Sequence, residues 1–316
     1  MENQKVYDLI IVGTGPAGIS AAIYAFRKNM DFLLIGSEKG GLASRAILIE
    51  NYPGFLEISG SELVEKFFEH LKKFQIKPLE REITKIEKKN GGFELTDNEK
   101  EIFKSKAVLI ASGSKPRILN VKGEKEFLGK GVSYCVTCDG PLFKNKKVGV
   151  IGGGNSGFSA ALWLVSYCSK VYVFEGSDKP RADESVQEQA KEKGVITIIN
   201  SEIKEIKGSP RFGEAGGKFV KSIVFENKLK KELEEIEIDG IFVEIGYIPT
   251  SFFVGDLADY NERGEIKVDL SNFQTKTPGL FAAGDVIDFP FKQIIIAAGQ
   301  GASATLSIYK FLENSV

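Results

Sequence analysis

One pattern occurs twice in the chain and limits its fold more than any other feature. It consists of an apolar strand, a G-x-G-x-x-G turn and a helix of small and apolar residues. The two copies are YDLIIVGTGPAGISAAIYAF near the start and KVGVIGGGNSGFSAALWLV in the middle. Their first glycines, Gly13 and Gly152, lie too far apart for a solenoid repeat, and the spacing suits two nucleotide-binding domains. The pattern therefore predicts an α/β chain with two Rossmann-like, three-layer domains.

The 316 residues are enough for two domains that each bury a core. We place the central domain at 117–245. The block from Gly246 onward ends in TPGLFAAGDV and the apolar helix QIIIAAGQGASATLSIYKFL, but it has no glycine fingerprint of its own. We therefore expect it to complete the first domain, which is then discontinuous and comprises 1–116 and 246–316.

The glycines of each turn have separate tasks. The first permits the bend, the second lets the backbone approach a pyrophosphate, and the third lets the helix pack on the strand. The phosphate then lies at the positive helix N-terminus. These glycines are Gly13, Gly15 and Gly18 in the first copy and Gly152, Gly154 and Gly157 in the second. Glycine turns can also serve close packing alone, but both copies follow a strand and open a helix, which favours dinucleotide binding.

The dinucleotide fingerprint also requires an acid about 20 residues further on, which binds the ribose hydroxyls. In the second copy Glu175 closes the strand KVYVF at this position. Its charge would repel the extra phosphate of NADP, so we expect NAD there; the alternative is a solvated glutamate at a strand end. The first copy departs from the fingerprint, because Ile35 and Gly36 stand where its acid would be.

Charge and apolar segments exclude several classes of partner. The 42 Lys and Arg residues balance 43 Asp and Glu residues, which argues against a general affinity for nucleic acid or anionic membrane. The N-terminal residues lack the pattern of a secretory signal, so we expect a cytoplasmic protein. The most apolar long window, 148–165, is broken by glycines and polar residues, which is typical of a strand, turn and helix and not of a membrane span.

Two of the three cysteines, Cys135 and Cys138, form a C-x-x-C motif followed by Asp139. At the start of a helix such thiols can reach each other, and the helix N-terminus favours the reactive thiolate. Asp139 could hold or deliver the proton that a leaving thiolate needs. Zinc is the alternative, but only Cys168 and His70 could complete its four ligands. Cys168, on a helix LWLVSYCS, is most simply a buried core thiol, and His70 a surface residue.

The sequence closely resembles the low-molecular-weight thioredoxin reductase family and the matching C-terminal part of the alkyl hydroperoxide reductase flavoprotein subunit. The resemblance rests on GTGPAG, EKGG, ENYPG, ASGSKPR, SYCVTCDGPLF, GGGNSG, TPGLFAAGDV and KQIIIAAGQGA. It implies that the first domain binds FAD and the central domain a nicotinamide dinucleotide. It also implies a redox-active disulfide in which Cys138 lies nearer the flavin, Cys135 attacks the partner's disulfide and Asp139 is the general acid.

By the same resemblance, FAD contacts fall on Gly13, Gly15, Pro16, Ala17, Gly18, Gly40, Gly41, Leu42, Asn51, Ala111, Gly113, Gly284, Asp285, Lys292, Gln293 and Ile294. Those of NAD fall on Gly152, Gly154, Asn155, Ser156, Gly157, Glu175 and Arg181. No metal ligand is implied. A rotation between the domains and a homodimer are implied.

Three departures from the family bear on the electron donor and on FAD. The NADPH-binding motif H-R-R-x-x-x-R reads EGSDKPR at 175–181 and keeps only Arg181. Ser159 stands where a glutamate often helps to place the nicotinamide, and Leu42 replaces a glutamine that contacts FAD. The loss of the arginines favours NADH over NADPH.

The favoured function is therefore an FAD-dependent thioredoxin-disulfide reductase that passes electrons from NADH to a thioredoxin- or glutaredoxin-like protein. The same flavin and thiols fed by ferredoxin or a deazaflavin are an alternative, as is the reductase component of a peroxiredoxin system. A flavin-bound redox sensor that never turns over is a hypothesis from another class. Asp139 and the second dinucleotide turn argue against it, because a sensor needs neither.

Overall fold

Each copy of the glycine-turn pattern folds as a strand, a turn and a helix. The computed structural model describes residues 5–46, 49–89, 91–210 and 218–314. In these residues the strands are β1 (Val6–Val12), β2 (Phe32–Ile35), β3 (Ile83–Lys89), β4 (Gly92–Asp97), β5 (Ile102–Ile110), β6 (Ser114–Pro116), β7 (Val132–Ser133), β8 (Lys147–Ile151), β9 (Lys170–Phe174), β10 (Ile196–Ile198), β11 (Ser201–Pro210), β12 (Lys218–Asn227), β13 (Glu232–Glu237), β14 (Gly240–Val243), β15 (Tyr247–Pro249) and β16 (Leu280–Ala282). The α-helices are α1 (Pro16–Arg27), α2 (Gly60–Lys73), α3 (Val136–Asp139), α4 (Asn155–Leu164), α5 (Glu184–Glu192) and α6 (Ile294–Glu313).

The described residues divide into two compact units. The first unit contains most of the described residues before Pro116 and all of those from Ile248 onward. The second, central unit contains the described residues from Pro116 to Tyr247. The sequence interpretation put the two boundaries at 116/117 and 245/246, and the units change at 115/116 and 247/248.

The sheet of the first unit has the strand order β2-β1-β5-β4-β3, and β16 also pairs with β5. Strands β2, β1, β5 and β16 are parallel, whereas β3 and β4 continue the sheet as antiparallel strands. Because the carboxyl ends of parallel strands meet at one edge, the segments that follow β1, β2, β5 and β16 converge there. These segments hold the first glycine turn and most of the other residues expected at FAD.

The central unit has a fully parallel sheet with the order β10-β9-β8-β14-β7. Strands β11, β12 and β13 form a separate antiparallel sheet. The chain leaves β8 toward β9 and β10, while β14 and β7 lie on its other side, so the strand order reverses between β8 and β14. Such a switch point opens a crevice at the carboxyl ends of the strands, where α/β proteins bind ligands.

Strand alternation builds three layers in the central unit. On one face Val148, Val150 and Phe242 pack against α4, including Phe158, and on the other Ile151 packs with residues of β11 and β12. The parallel strands read as continuous apolar runs because both of their faces are covered. The first unit is also covered on both faces, with α1 and α6 on one of them. The predicted α/β class with Rossmann-type domains is confirmed.

Helix α4 is shorter than the sequence suggested, and Cys168 therefore lies outside it. Helix α4 ends at Leu164, so Cys168 lies beyond it, half-buried and not fully in the core. The residues after the helix also bond to another segment: the Asn145 amide donates to the Tyr167 carbonyl at 2.8 Å, and the Ser169 amide donates to the Lys146 carbonyl at 2.9 Å. Among the described residues no helix is long and apolar enough to cross a membrane.

Candidate functional site

The C-x-x-C motif forms a disulfide. Cys135 and Cys138 are bonded to each other, with their Cα atoms 5.3 Å apart, and both side chains are half-buried. Cys135 follows β7 and is the N-cap residue of α3. Helix α3 is a single turn, so its dipole can support a thiolate at Cys135 only weakly. The pair thus lies at the carboxyl edge of the central parallel sheet.

Asp139 lies behind the disulfide and is held by a serine that sequence reasoning missed. The Ser133 hydroxyl donates to Asp139 Oδ2 at 2.6 Å, and both side chains are buried. The same hydroxyl accepts the Cys135 amide at 3.0 Å. Ser133 therefore ties the carboxylate to the backbone of the first cysteine. The signal in the sequence is one small polar residue at the end of an otherwise apolar strand.

A second buried acid, also missed, holds the other side of the motif. The Glu124 carboxylate accepts the backbone amides of Leu119 and Asn120, each at 2.7 Å, and the Tyr134 hydroxyl at 2.6 Å. Three donors satisfy this carboxylate, as a buried charge requires. Because Tyr134 directly precedes Cys135, Glu124 fixes the start of the disulfide turn to the segment 119–120.

The zinc alternative loses its two central ligands, because the sulfurs of Cys135 and Cys138 are bonded to each other. Within the described ranges no three His, Cys, Asp or Glu side chains form a group that could hold a metal ion. Burial raises the pKa of the Cys168 thiol to about 11, and the charge of Asp239 adds to this effect. Cys168 is therefore a thiol with little thiolate at neutral pH, and His70 is exposed on α2.

The second glycine turn has the geometry that a pyrophosphate requires. A Cβ atom at Gly157 would lie 1.8 Å from the Gly152 carbonyl oxygen, so the third glycine allows α4 to pack on the turn. A Cβ at Gly154 would meet no atom within 4 Å. The second glycine is thus open to a ligand at the N-terminus of α4, where backbone amides lack acceptors within the helix. Ser156 lies exposed in this first helical turn.

Glu175 lies buried at the end of β9, beside the same turn. Its carboxylate accepts the Gly153 amide at 2.9 Å, and the Ser177 amide at 2.8 Å and hydroxyl at 2.6 Å. Burial opposes ionisation, but the hydrogen bonds from Ser177 and Gly153 and the charge of Arg181 outweigh it and hold the pKa of Glu175 below its usual value. Glu175 is therefore an ionised acceptor at neutral pH and not a solvated strand end.

A cleft of about 520 Å³ opens beside Glu175. Gly152, Glu175 and Arg181 line it together with the segments 119–122 and 201–204. Asn155 is exposed at the start of α4 and exchanges two hydrogen bonds with Asp183, the N-cap residue of α5, at 2.8 and 3.3 Å. The structure thus brings Gly152, Glu175 and Arg181 to one cleft, and it engages the Asn155 side chain with Asp183.

The first glycine turn lies among the other segments expected at FAD. A Cβ at Gly13 would lie 2.1 Å from the Ala111 carbonyl oxygen, whereas one at Gly15 would meet only the Gly40 carbonyl, at 3.9 Å. The Gly40 amide donates to the Thr14 carbonyl at 3.0 Å. Pro16 is the first residue of α1, followed by Ala17 and Gly18. The turn is therefore closely packed at its first glycine and open at its second.

The C-terminal block contributes to the same edge. A Cβ at Gly284 would lie 3.0 Å from the Ala17 Cβ, so the end of β16 reaches the start of α1. The buried Gln300 side chain, which sequence reasoning missed, accepts the Gly284 amide at 2.9 Å. Gln293 is the N-cap residue of α6, and Ile294 is the first residue of that helix. The side-chain amide of Asn51 donates to Gln293 Oε1 at 3.2 Å. Two predicted flavin-side residues thus meet across 242 positions.

Lys292 and Asp285 are two ionisable residues that precede α6 and interact through the Asp285 backbone carbonyl. The Lys292 ammonium donates to the Asp285 and Ile287 carbonyls at 3.1 and 2.5 Å and forms an ion pair with Glu265 at 2.9 Å. Burial raises the pKa of Asp285, the charge of Lys292 lowers it, and that of Glu265 raises it further. The Lys292 side chain is therefore already engaged by protein groups, whereas Asp285 is a half-buried carboxyl available to a hydroxyl of a ligand.

These observations fit an FAD site in the first unit. The open second glycine admits a pyrophosphate, and Asp285 offers an acceptor. Leu42 lies in a short 3₁₀ turn, Gly41–Arg45, next to Gly40. Gly113 follows β5 two residues after Ala111, and its carbonyl accepts the Thr250 amide at 3.0 Å.

Comparison with known proteins agrees with this arrangement. Residues 7–301 match the family model of the pyridine nucleotide-disulphide oxidoreductases. The chain is 38% identical over 313 residues to an alkyl hydroperoxide reductase subunit of Staphylococcus aureus, covering 98% of the chain and 60% of that relative. It therefore spans less than two thirds of the length of such curated relatives.

Two solved structures cover nearly the whole chain. Thioredoxin reductase from Streptococcus pyogenes is 35% identical, with a TM-score of 0.89 over 98% of this chain and 99% of that one. A ferredoxin-flavin thioredoxin reductase from Clostridium acetobutylicum is 30% identical, with a TM-score of 0.54 over 99% of both chains. The family implies FAD and a nicotinamide dinucleotide. The chain belongs to the pyridine nucleotide-disulphide oxidoreductase family, is similar to thioredoxin reductases over nearly its whole length, and has a disulfide pair at Cys135 and Cys138.

Proposed function

We propose that the chain passes electrons from NADH, in preference to NADPH, through FAD and the Cys135–Cys138 disulfide to a thioredoxin- or glutaredoxin-like protein. One observation carries this proposal: the disulfide and the second glycine turn follow β7 and β8, which flank β14 at the same edge of one parallel sheet. Bound FAD would supply two-electron storage between the donor and the disulfide.

The residues proposed to hold FAD lie in the first unit. The amides at the start of α1 would hold the pyrophosphate, and Asp285 would accept a hydroxyl of the ribityl chain. Asn51 and Gln293, 3.2 Å apart, orient the flavin side of the site. Gln293 caps a 20-residue helix, so the positive end of α6 stabilises negative charge close to Gln293.

The proposed exchange reaction needs two thiols and one acid. In the reduced protein the Cys135 thiolate attacks the acceptor's disulfide, which forms a mixed disulfide and releases one acceptor thiolate. Asp139, which took up the proton of the Cys135 thiol when that thiol became a thiolate, gives this proton to the released acceptor thiolate. Cys138 then attacks Cys135 and restores the internal disulfide, and the proton of the Cys138 thiol passes through Asp139 to the second acceptor sulfur. Two electrons and two protons thus leave the protein. Ser133 keeps the Asp139 carboxylate beside the Cys135 backbone throughout.

Asp139→Asn should slow reoxidation of the reduced dithiol by thioredoxin by about 10²-fold, because an amide delivers no proton. Reduction of the flavin by NADH should stay within twofold of the wild-type rate. Ser133→Ala should give a smaller loss, since the carboxylate remains but its hydroxyl donor does not. Rapid mixing of prereduced enzyme with oxidised thioredoxin measures the first rate. Asp178→Asn, at an exposed position in the central unit, is the control; wild-type reoxidation in Asp139→Asn would contradict the acid role.

The donor preference rests on Glu175. An ionised carboxylate at the end of β9 accepts a ribose hydroxyl and repels a 2′-phosphate, and the sequence 176–178 offers no arginine to grip that phosphate. Anaerobic stopped-flow mixing of the oxidised protein with NADH, NADPH and reduced ferredoxin tests this preference. We expect NADH to bleach the flavin at least about tenfold faster than NADPH at equal concentration. A flavin that NADH leaves oxidised would overturn the nicotinamide part of the proposal.

The second candidate is the same relay fed by ferredoxin or a deazaflavin. It is favoured by the serine at position 159, by the absent arginines and by the similarity to a ferredoxin-flavin thioredoxin reductase. The acceptor is a separate question. The similarity to an alkyl hydroperoxide reductase component supports a role in a peroxiredoxin system. A homodimer is part of the proposal by family resemblance.

A further inference from the structure

An acidic residue directly follows β14, a fully buried strand of the central sheet. All four residues of β14 are buried and three of them are apolar, and the next residue is Glu244. The Glu244 amide donates to the Ile151 carbonyl at 2.8 Å. A Cβ atom at Gly152 would lie 2.4 Å from the Glu244 carbonyl oxygen. The backbone of Glu244 therefore touches the first glycine of the second turn.

The position of β14 in the sheet places Glu244 at the switch point. Val243 pairs with Ile151 of β8, and Phe242 pairs with Ser133 of β7. Glu175 ends β9, on the opposite side of β8. A dinucleotide with its adenosine ribose at Glu175 and its pyrophosphate at the glycine turn therefore extends its other half toward β14. That half carries the nicotinamide.

The Glu244 side chain has no protein partner within the described ranges. It is half-buried and makes no hydrogen bond or ion pair with any residue in that part of the chain. Burial alone raises its pKa to about 7. A half-buried carboxyl group whose pKa is raised and that lacks a protein partner is typical of functional sites. The absent partner is explained if a ligand supplies the hydrogen bond.

Strand alternation fixes the side on which this carboxyl lies. Glu244 is two residues after Phe242 and shares its face of the sheet, and Phe242 packs in the same cluster as Phe158 of α4. Ser159, next along α4, is exposed and too short to reach far beyond the helix. The Glu244 carboxyl therefore lies on the face of the sheet that packs against α4, whereas α4 itself has a serine at position 159 and no carboxyl there.

We propose that Glu244 binds the nicotinamide end of the dinucleotide, accepting a hydrogen bond from its carboxamide, and so replaces the glutamate that the family resemblance expects at position 159. This inference rests on the proposed function, because it requires a nicotinamide donor. It makes Glu244 a determinant of nicotinamide binding supplied by a strand instead of a helix. The adenosine half of the ligand does not depend on it.

Calorimetric titration of the oxidised holoenzyme at pH 8 with NAD⁺ and with ADP-ribose tests the proposal. ADP-ribose lacks only the nicotinamide, so its binding also reports that the central unit is folded. Glu244→Ala should weaken the affinity for NAD⁺ by about tenfold and leave the affinity for ADP-ribose within twofold of the wild-type value. Glu244→Gln keeps an acceptor oxygen and should lose less than about threefold. Glu237→Ala, an exposed glutamate on β13, is the matched control and should change neither ligand.

Four results would overturn the inference, and they separate the contact from the donor. Unchanged NAD⁺ binding in Glu244→Ala, or an equal loss for both ligands, refutes the nicotinamide contact while the proposed donor stands. A defect confined to thioredoxin reduction would assign Glu244 to the disulfide instead. Wild-type protein that binds neither ligand would refute the nicotinamide donor and this contact together.

Discussion

Replacing Cys138 by serine is expected to lower the turnover of a thioredoxin disulfide by more than about 10³-fold while FAD stays bound. The exchange chemistry requires a second thiol to release the acceptor from Cys135. With serine at 138 the attack by Cys135 still proceeds, but the mixed disulfide persists. A covalent complex of the two proteins should therefore accumulate on a nonreducing gel, whereas Cys135→Ser should be equally inactive and form much less of it.

The remaining cysteine supplies the matched control. Cys168 is half-buried, and burial raises its pKa to about 11, so little thiolate exists there at neutral pH. Cys168→Ser should keep turnover within twofold of wild type. Turnover above about one tenth of wild type in Cys138→Ser would mean that the disulfide is not on the electron path. Wild-type protein without catalytic turnover, but with bound flavin, would favour the sensor hypothesis.

The triple replacement of Glu175 by alanine and of Gly176 and Ser177 by arginine should raise kcat/KM for NADPH by about 30-fold and lower that for NADH. Removing Glu175 abolishes the repulsion of the 2′-phosphate, and two arginines can grip it with charge-assisted hydrogen bonds. The backbone admits a side chain at 176, since a Cβ there would lie 3.7 Å from Lys228 Nζ and 3.8 Å from the Ser201 carbonyl oxygen. Steady-state assays with both donors measure the switch.

Glu175→Ala alone separates the two contributions. It should lower kcat/KM for NADH, because the ribose hydroxyls lose their acceptor. NADPH should remain a poor donor, because no arginine is present to bind its 2′-phosphate. Retained NADH preference in the triple variant would show that the 2′ position of the ribose is recognised elsewhere. Equal failure of both donors in the wild type, together with reduction by ferredoxin, would favour the second candidate function.

Elements with strong local signals were predicted well. The two glycine turns each follow a strand and open a helix, as the repeated pattern predicted. Gln293 caps α6, as the change from loop to apolar helix suggested. In these segments the local pattern and the tertiary environment favour the same structure, so short-range reasoning is sufficient.

The errors and omissions have a common origin. Helix α4 was expected to continue through Cys168, but it ends at Leu164, and residues 167 and 169 form backbone hydrogen bonds with 145 and 146, which lie outside the helix. Ser133 and Glu124 were missed because their partners are chosen by the fold, although each is close in sequence to the residues that it holds. No local preference distinguishes these polar residues from solvated ones.

The sequence by itself determined the family, the fold class and the two glycine turns, because each depends on residue types at short, fixed spacing, and the family resemblance implied the disulfide. Only the tertiary structure decided that Asn51 meets Gln293, that Glu175 is buried and ionised, and that Glu244 is half-buried without a partner among the described residues. The physical reason is that burial and hydrogen bonding depend on which strands become neighbours. That choice is made by contacts between residues far apart in the chain.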